Sequence, residues 1–167
     1  MAFAHAETVP DCPVARALDE IGDWWSLLII RDSFDGMRRF GEFQKNLGIS
    51  KGILAARLKH LVAIGVLKTE PITEEGAFEE YVLTKKGREL FLVNLSLRQW
   101  AEDHCFSGSE PHSVLVEKAN GRRVARLALR GHDGRELDES TTFVRKVADR
   151  PSSAKRNRSK ASVPAKS

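Results

Sequence analysis

Three groups of side chains in this sequence could do chemistry. Cys12 stands immediately before Pro13, at what reads as the start of a helix. There the helix dipole favours negative charge, so the thiol is a candidate for reaction with oxidants or electrophiles. His104 and Cys105 are adjacent, and with His112 they suggest a nucleophile pair or part of a metal site. Neighbours on a helix point in different directions and a fourth ligand is missing, so a solvent-exposed helix end is the better reading. The third group is the stretch "GISKGILAARLKHLVAIGVLK", residues 48–68, which contains no acidic residue. Leu54, Leu58, Leu61 and Val62 form its apolar stripe, while Gly52, Ala56, Lys59, His60 and Ala63 leave the other face small and basic. That face could approach the floor of a DNA groove, where bulk excludes a helix and lysine meets phosphate.

Composition narrows the classes. The chain has 167 residues, 41% hydrophobic and 30% charged, enough for one packed domain with appendages. No apolar run reaches the length of a membrane span. The N-terminal residues lack a basic segment followed by an apolar one, so no secretory signal is expected. Two distant cysteines form no disulfide framework and no CxxC motif, and the expected compartment is the cytoplasm. A net charge of +4 suggests nucleic acid, but six lysines and arginines lie from Arg150 onward with no acid among them. Without them the body holds 21 basic and 23 acidic residues, a formal −2. Residues 31–68 are different, with eight basic against three acidic residues. Phosphate loop, HExxH, nucleophile elbow and dinucleotide fingerprint are all missing from the sequence, so no enzyme, cofactor or metal is expected.

The elements that would position these groups read in order. "CPVARALDEIG", "WWSLLIIRDSFDG" and "RRFGEFQKNLG" are three short helices, each closed by glycine, with Pro13 suited to a first helical position. The fourth helix spans residues 51–64, capped by Ser50, and "GIS" before it allows only a tight helix-turn-helix corner. "VLKTEPI" and "EEYVLT" are strands joined by "TEEGAF", a hairpin following the helix-turn-helix as in a winged helix. "KKGRELFLVNLSLRQWAEDH" reads as one long helix, apolar over much of its circumference, for which a partner subunit is the simplest cover. Beyond it, "SVLVEKANGRRVARLAL" suggests two strands about Asn120–Gly121, and "HDGRE" a second turn at Asp133–Gly134. The fold class is therefore mainly α with a β-hairpin wing, a winged helix-turn-helix, plus a small C-terminal β appendage. The expected division is an arm over 1–11, a winged helix over 12–84, a dimerisation helix over 85–105, a β appendage over 106–148 and a disordered basic tail over 149–167.

From "CPVARALDEIGDWW" through "RRFGEFQ", "RLKHL" and "EYVLTKKG", the order of motifs over about residues 12 to 104 resembles the HxlR-type bacterial transcriptional regulators, relatives of the MarR group. The resemblance implies a homodimer that places helix 51–64 of each subunit in successive major grooves of a pseudo-palindromic double-stranded DNA operator. The expected DNA contacts are Arg38, Arg39, Ser50, Lys51, Gly52, Ala55, Ala56, Arg57, Lys59 and His60; the expected dimer contacts are Leu90, Phe91, Val93, Leu97 and Trp100. Some relatives sense electrophiles or oxidants at the Cys-Pro position, which makes Cys12 the candidate sensor and a small-molecule or oxidant effector the expected signal. Two features depart from the family. Residues 69–84 carry Glu70, Glu74, Glu75, Glu79 and Glu80 and no basic residue, so this wing should be repelled by phosphate. The appendage lacks the paired cysteines of a zinc ribbon, so it reads as a ribbon-like fold without its metal. The competing function is a winged-helix interaction module whose acidic hairpin binds protein instead of DNA.

Overall fold

The computed structural model describes residues 11–72 and 79–146. The N-terminal arm up to Pro10, the wing tip with Glu74 and Glu75, and the basic tail lie outside the described residues. The described chain runs α1 (Pro13–Ile21), α2 (Trp24–Phe34), α3 (Phe40–Leu47), α4 (Lys51–Ala63), β1 (Leu67–Pro71), β2 (Glu79–Leu83), α5 (Lys85–Glu89), α6 (Phe91–His104), β3 (Leu129–Arg130) and β4 (Glu136–Leu137). It divides into two compact units, Met1–Leu127 and Ala128–Ser167.

Local chemistry accounts for the helix ends. Asp23 caps α2 by accepting hydrogen bonds from the Trp25 and Ser26 amides. Gly48, at φ +61°, turns α3 away in the left-handed conformation that a side chain would strain. Ser50 Oγ then accepts the Ile53 amide at 3.3 Å and opens α4. Ile29, Ile30, Phe43, Leu54, Leu58, Leu61 and Val66 are fully buried and converge from α2, α3, α4 and the entry to β1. Each such side chain contributes about 1.5–3 kcal/mol on burial, so this core fixes the mutual pose of α3 and α4.

β1 and β2 form an antiparallel hairpin in the register Leu67↔Leu83 to Pro71↔Glu79. Its base is closed by Thr84, whose Oγ1 donates to the Gly65 carbonyl at 2.6 Å and whose amide donates to Val66 at 3.1 Å. Gly87 packs on the same spot. A Cβ there would stand 2.2 Å from the Val66 carbonyl oxygen, so no other residue fits.

Two expectations are corrected here. The helix after the wing is not continuous: it breaks at Leu90, whose amide bonds back to the Gly87 carbonyl at 3.1 Å. The first turn is held down on the hairpin through Gly87, and only α6 continues the long helix. The strands about Asn120–Gly121 shrink to one bridge, Val116↔Arg123. The reason is competition for backbone groups. Beside the bridge the Glu117 amide still donates to the Arg122 carbonyl, and the Val124 amide to that of Leu115. Farther out, side chains of α6 take the backbone groups up, with Gln99 Oε1 accepting the Leu127 amide at 2.9 Å and Arg98 donating to the Ser113 carbonyl. The turn at Asp133–Gly134 does form a hairpin, β3 with β4, paired Leu129↔Leu137 and Arg130↔Glu136.

Candidate nucleic-acid interface

Burial along α4 alternates as a two-faced helix requires. Leu54, Leu58 and Leu61 are buried, whereas Lys51, Gly52, Ile53, Ala55, Ala56, Lys59 and Ala63 are exposed. A Cβ at Gly52 would meet nothing within 4 Å, so the protein's own packing does not demand glycine there. A small residue is needed only if something outside comes close. Among the described residues, Lys51 and Lys59 have no ion-pair partner. Ile53 shares this face; it is not among the residues singled out in the sequence, and its exposure identifies it.

Other expected contacts are turned inward. Arg57 lies against Asp23, Nε to Oδ1 3.1 Å, as an ion pair without the alignment of a hydrogen bond. His60 Nε2 donates to the Glu20 carbonyl at 2.7 Å, tying α4 to α1. Both act as struts between helices and are less available as donors than their sequence positions suggest. Arg38 and Arg39 are held by the wing: Glu80 lies 3.7 Å from Arg38 Nη1 and 3.3 Å from Arg39 Nε. Their backbone amides donate to Glu42 Oε2 at 2.8 and 2.9 Å. Those two bonds hold the Glu42 carboxyl below its ordinary pKa of 4.5, with the Arg38 amide the largest cause. Elsewhere on the wing, Glu70 pairs with Lys68 at 2.6 Å, and that contact lowers its pKa as well.

Between α2 and α3 lies a buried carboxylate. Asp32 is fully buried; Arg31 holds one of its oxygens, with Nε at 2.9 Å, and Asn46 of α3 donates to the other at 2.9 Å. The sequence shows no sign of the Asn46 half of this clamp, which lies 14 positions from Asp32.

Cys12 is half-buried at the N-cap of α1, and Cys105 is exposed at the end of α6. Both are free thiols. On α6, Phe91, Leu92, Val93, Leu97 and Trp100 are exposed, the last at 60%. Val14 and Leu18 of α1 are exposed as well. Leu90, half-buried, packs against the winged-helix core. Trp25 also packs there, whereas Trp24 stacks on it and remains open to solvent. A cavity of about 470 Å³ opens between α2, α6 and the segment after α6, walled by Trp24, Phe34, Phe91, Leu97 and Phe106. Among the described residues no cluster of His, Cys, Asp or Glu could hold a metal ion, and no helix is long and apolar enough to cross a membrane.

A helix-turn-helix with an antiparallel wing on a shared core is the fold of the winged-helix transcription regulators. The chain belongs to the HxlR-like helix-turn-helix family, whose model matches residues 20–108. It is 36% identical over 124 residues to Rv3095 of Mycobacterium tuberculosis, an uncharacterised HTH-type transcriptional regulator, spanning 74% of this chain and 78% of that protein. Of solved structures, PA1607, a candidate transcription factor, aligns at TM-score 0.80 with 50% identity, covering 86% of this chain and 99% of that one. The redox regulator HypR in its reduced form aligns at 0.52 with 32% identity, covering 56% and 94% respectively. The protein is a helix-turn-helix transcriptional regulator.

Proposed function

We propose that this regulator acts in the cytoplasm as a homodimer that binds double-stranded DNA with sequence preference, one α4 in each of two successive major grooves of a pseudo-palindromic operator. The observation that carries the reading is the outer face of α4. It is exposed, free of acid and needlessly small at Gly52 unless a second surface comes close. Ala55, Ala56 and Ile53 suit contact with thymine methyls, while Lys51 and Lys59 suit phosphate. Ser50 and the first amides of α4 sit where a phosphate oxygen is best received. The apolar face of α6, with Phe91, Val93, Leu97 and Trp100, supports a second copy as its cover, which sets the spacing of the two recognition helices.

Cys12 is the sensing thiol in this reading, supported by its place at the start of α1 and by the likeness to a redox regulator. The cavity beside Trp24 is roomy enough for a small-molecule effector. An acidic wing that docks protein is disfavoured, since Glu70 and Glu80 already have partners within the chain. The test is a shift assay on the DNA upstream of its own coding sequence, against random-sequence duplex, at two salt concentrations. Retention of the upstream duplex at the higher salt supports the reading; equal loss of both duplexes refutes sequence preference.

A further inference from the structure

The acidic wing poses a problem for any DNA-binding reading, and the structure places its most consequential acid at a definite spot. We propose that Glu80 is a selectivity determinant: it occupies Arg38 and Arg39, withholding them from phosphate, so that binding depends on α4. The inference rests on the reading that α4 binds DNA.

The geometry is held by backbone. The Tyr81 amide donates to the Arg38 carbonyl at 2.8 Å, so β2 is stitched to the segment that carries both arginines. Glu80 is the neighbour of Tyr81 and reaches Arg38 at 3.7 Å and Arg39 at 3.3 Å. Its side chain is only 22% exposed, against 57% and 59% for the two arginine side chains. The carboxylate is thus packed in place, while the arginines lie outside it on the surface.

Arg39 is the N-cap of α3 and Arg38 precedes it, and two arginines beside a helix start attract phosphate without regard to sequence. Here the chain fills that site itself. Glu42 takes the amides of Arg38 and Arg39, and Glu80 takes their side chains. Two positive charges stand beside two negative ones, which lowers the local attraction for a DNA backbone. Lys51 and Lys59 on α4 have no such partner among the described residues. Of the cations of the helix-turn-helix, Lys45 on α3 and these two on α4 are thus left to draw DNA, and the α4 pair flanks the face that would read its bases. Exposed ion pairs are weak, so removal of Glu80 should release the arginines instead of collapsing the wing.

The experiment compares Glu80→Gln with Glu79→Gln, a neighbouring wing acid outside the arginine contact. Both are measured on random-sequence duplex and on the upstream duplex. Glu80→Gln should raise random-duplex binding by about tenfold at low salt and steepen its salt dependence by about one to two units, as one or two new phosphate contacts form. Binding to the upstream duplex should rise less, so the ratio between them falls. The gain should vanish in a chain that also carries Arg38→Ala and Arg39→Ala. Those two changes alone, in the presence of Glu80, should leave random-duplex binding within about twofold of wild type, a measurement that does not require the Glu80 variant to fold. An equal gain from Glu79→Gln would reduce the effect to general charge and overturn the proposal. So would a loss of binding in a folded Glu80→Gln protein, since Glu80 would then be aiming the arginines at DNA. A wild-type chain that binds neither duplex removes the DNA-binding reading itself, whereas wild-type binding that Glu80→Gln leaves unchanged overturns only this inference.

Discussion

Asn46 of α3 donates a hydrogen bond to the fully buried Asp32 of α2 at 2.9 Å, across the gap between the scaffold helix and the helix-turn-helix. Arg31 balances the charge of that carboxylate from its other side. The contact matters because α3 carries the corner from which α4 projects.

Asn46→Ala should cost about 1–3 kcal/mol, because it leaves an oxygen of a buried ionised group without its donor. Urea unfolding followed by circular dichroism reads the change. An unaltered midpoint would mean that water replaces the amide and that the clamp contributes nothing.

Leu97→Glu should dissociate the dimer and reduce binding to the upstream duplex by at least tenfold, since a single half-site gives too few contacts. Leu97 lies on the exposed face of α6 and is not part of the buried core, so the monomer should remain folded. Sedimentation at micromolar concentration checks both halves of the statement. A wild-type chain that sediments as a monomer contradicts the premise.

Cys12→Ser should bind DNA as wild type does before treatment and lose the response to mild oxidant or quinone. Modification of a half-buried thiol at the start of α1 adds bulk next to a helix whose Glu20 carbonyl is bonded to His60 of α4. That gives a short mechanical route from the thiol to α4. Identical responses in both proteins would make Cys12 structural.

What could be seen in the sequence was what is local. The stripe Leu54, Leu58, Leu61, the Ser50 cap and the closing Gly48 all follow from helix period and backbone preference, and the structure has them in those roles. The wing was legible for the same reason, from two short strands around a glycine-bearing turn. Contacts between distant residues were not. Arg39 and Glu80 are 41 positions apart, and His60 and Glu20 are 40, so nothing in local pattern distinguishes a free cation from a held one. The break at Leu90 escaped because it depends on Gly87 meeting Val66, a close approach set by tertiary packing. The segment after α6 has a strand-like pattern, yet its pairing stops beside the Val116–Arg123 bridge, and the Ser113 carbonyl and Leu127 amide bond to Arg98 and Gln99 in place of a longer ladder.

Entry of α4 into the major groove is the central claim, and Ala56 lies on its exposed face without structural duty. The most direct measurement is binding of the folded, dimeric Ala56→Glu protein to the upstream duplex, alongside Lys59→Ala. Ala56→Glu puts length and negative charge on the face closest to the bases and should reduce binding to the level of random DNA. Lys59→Ala should weaken binding to both duplexes and lower the salt slope by about one unit. Wild-type affinity in a folded Ala56→Glu dimer would contradict the account, because no helix could carry that side chain into the groove unchanged.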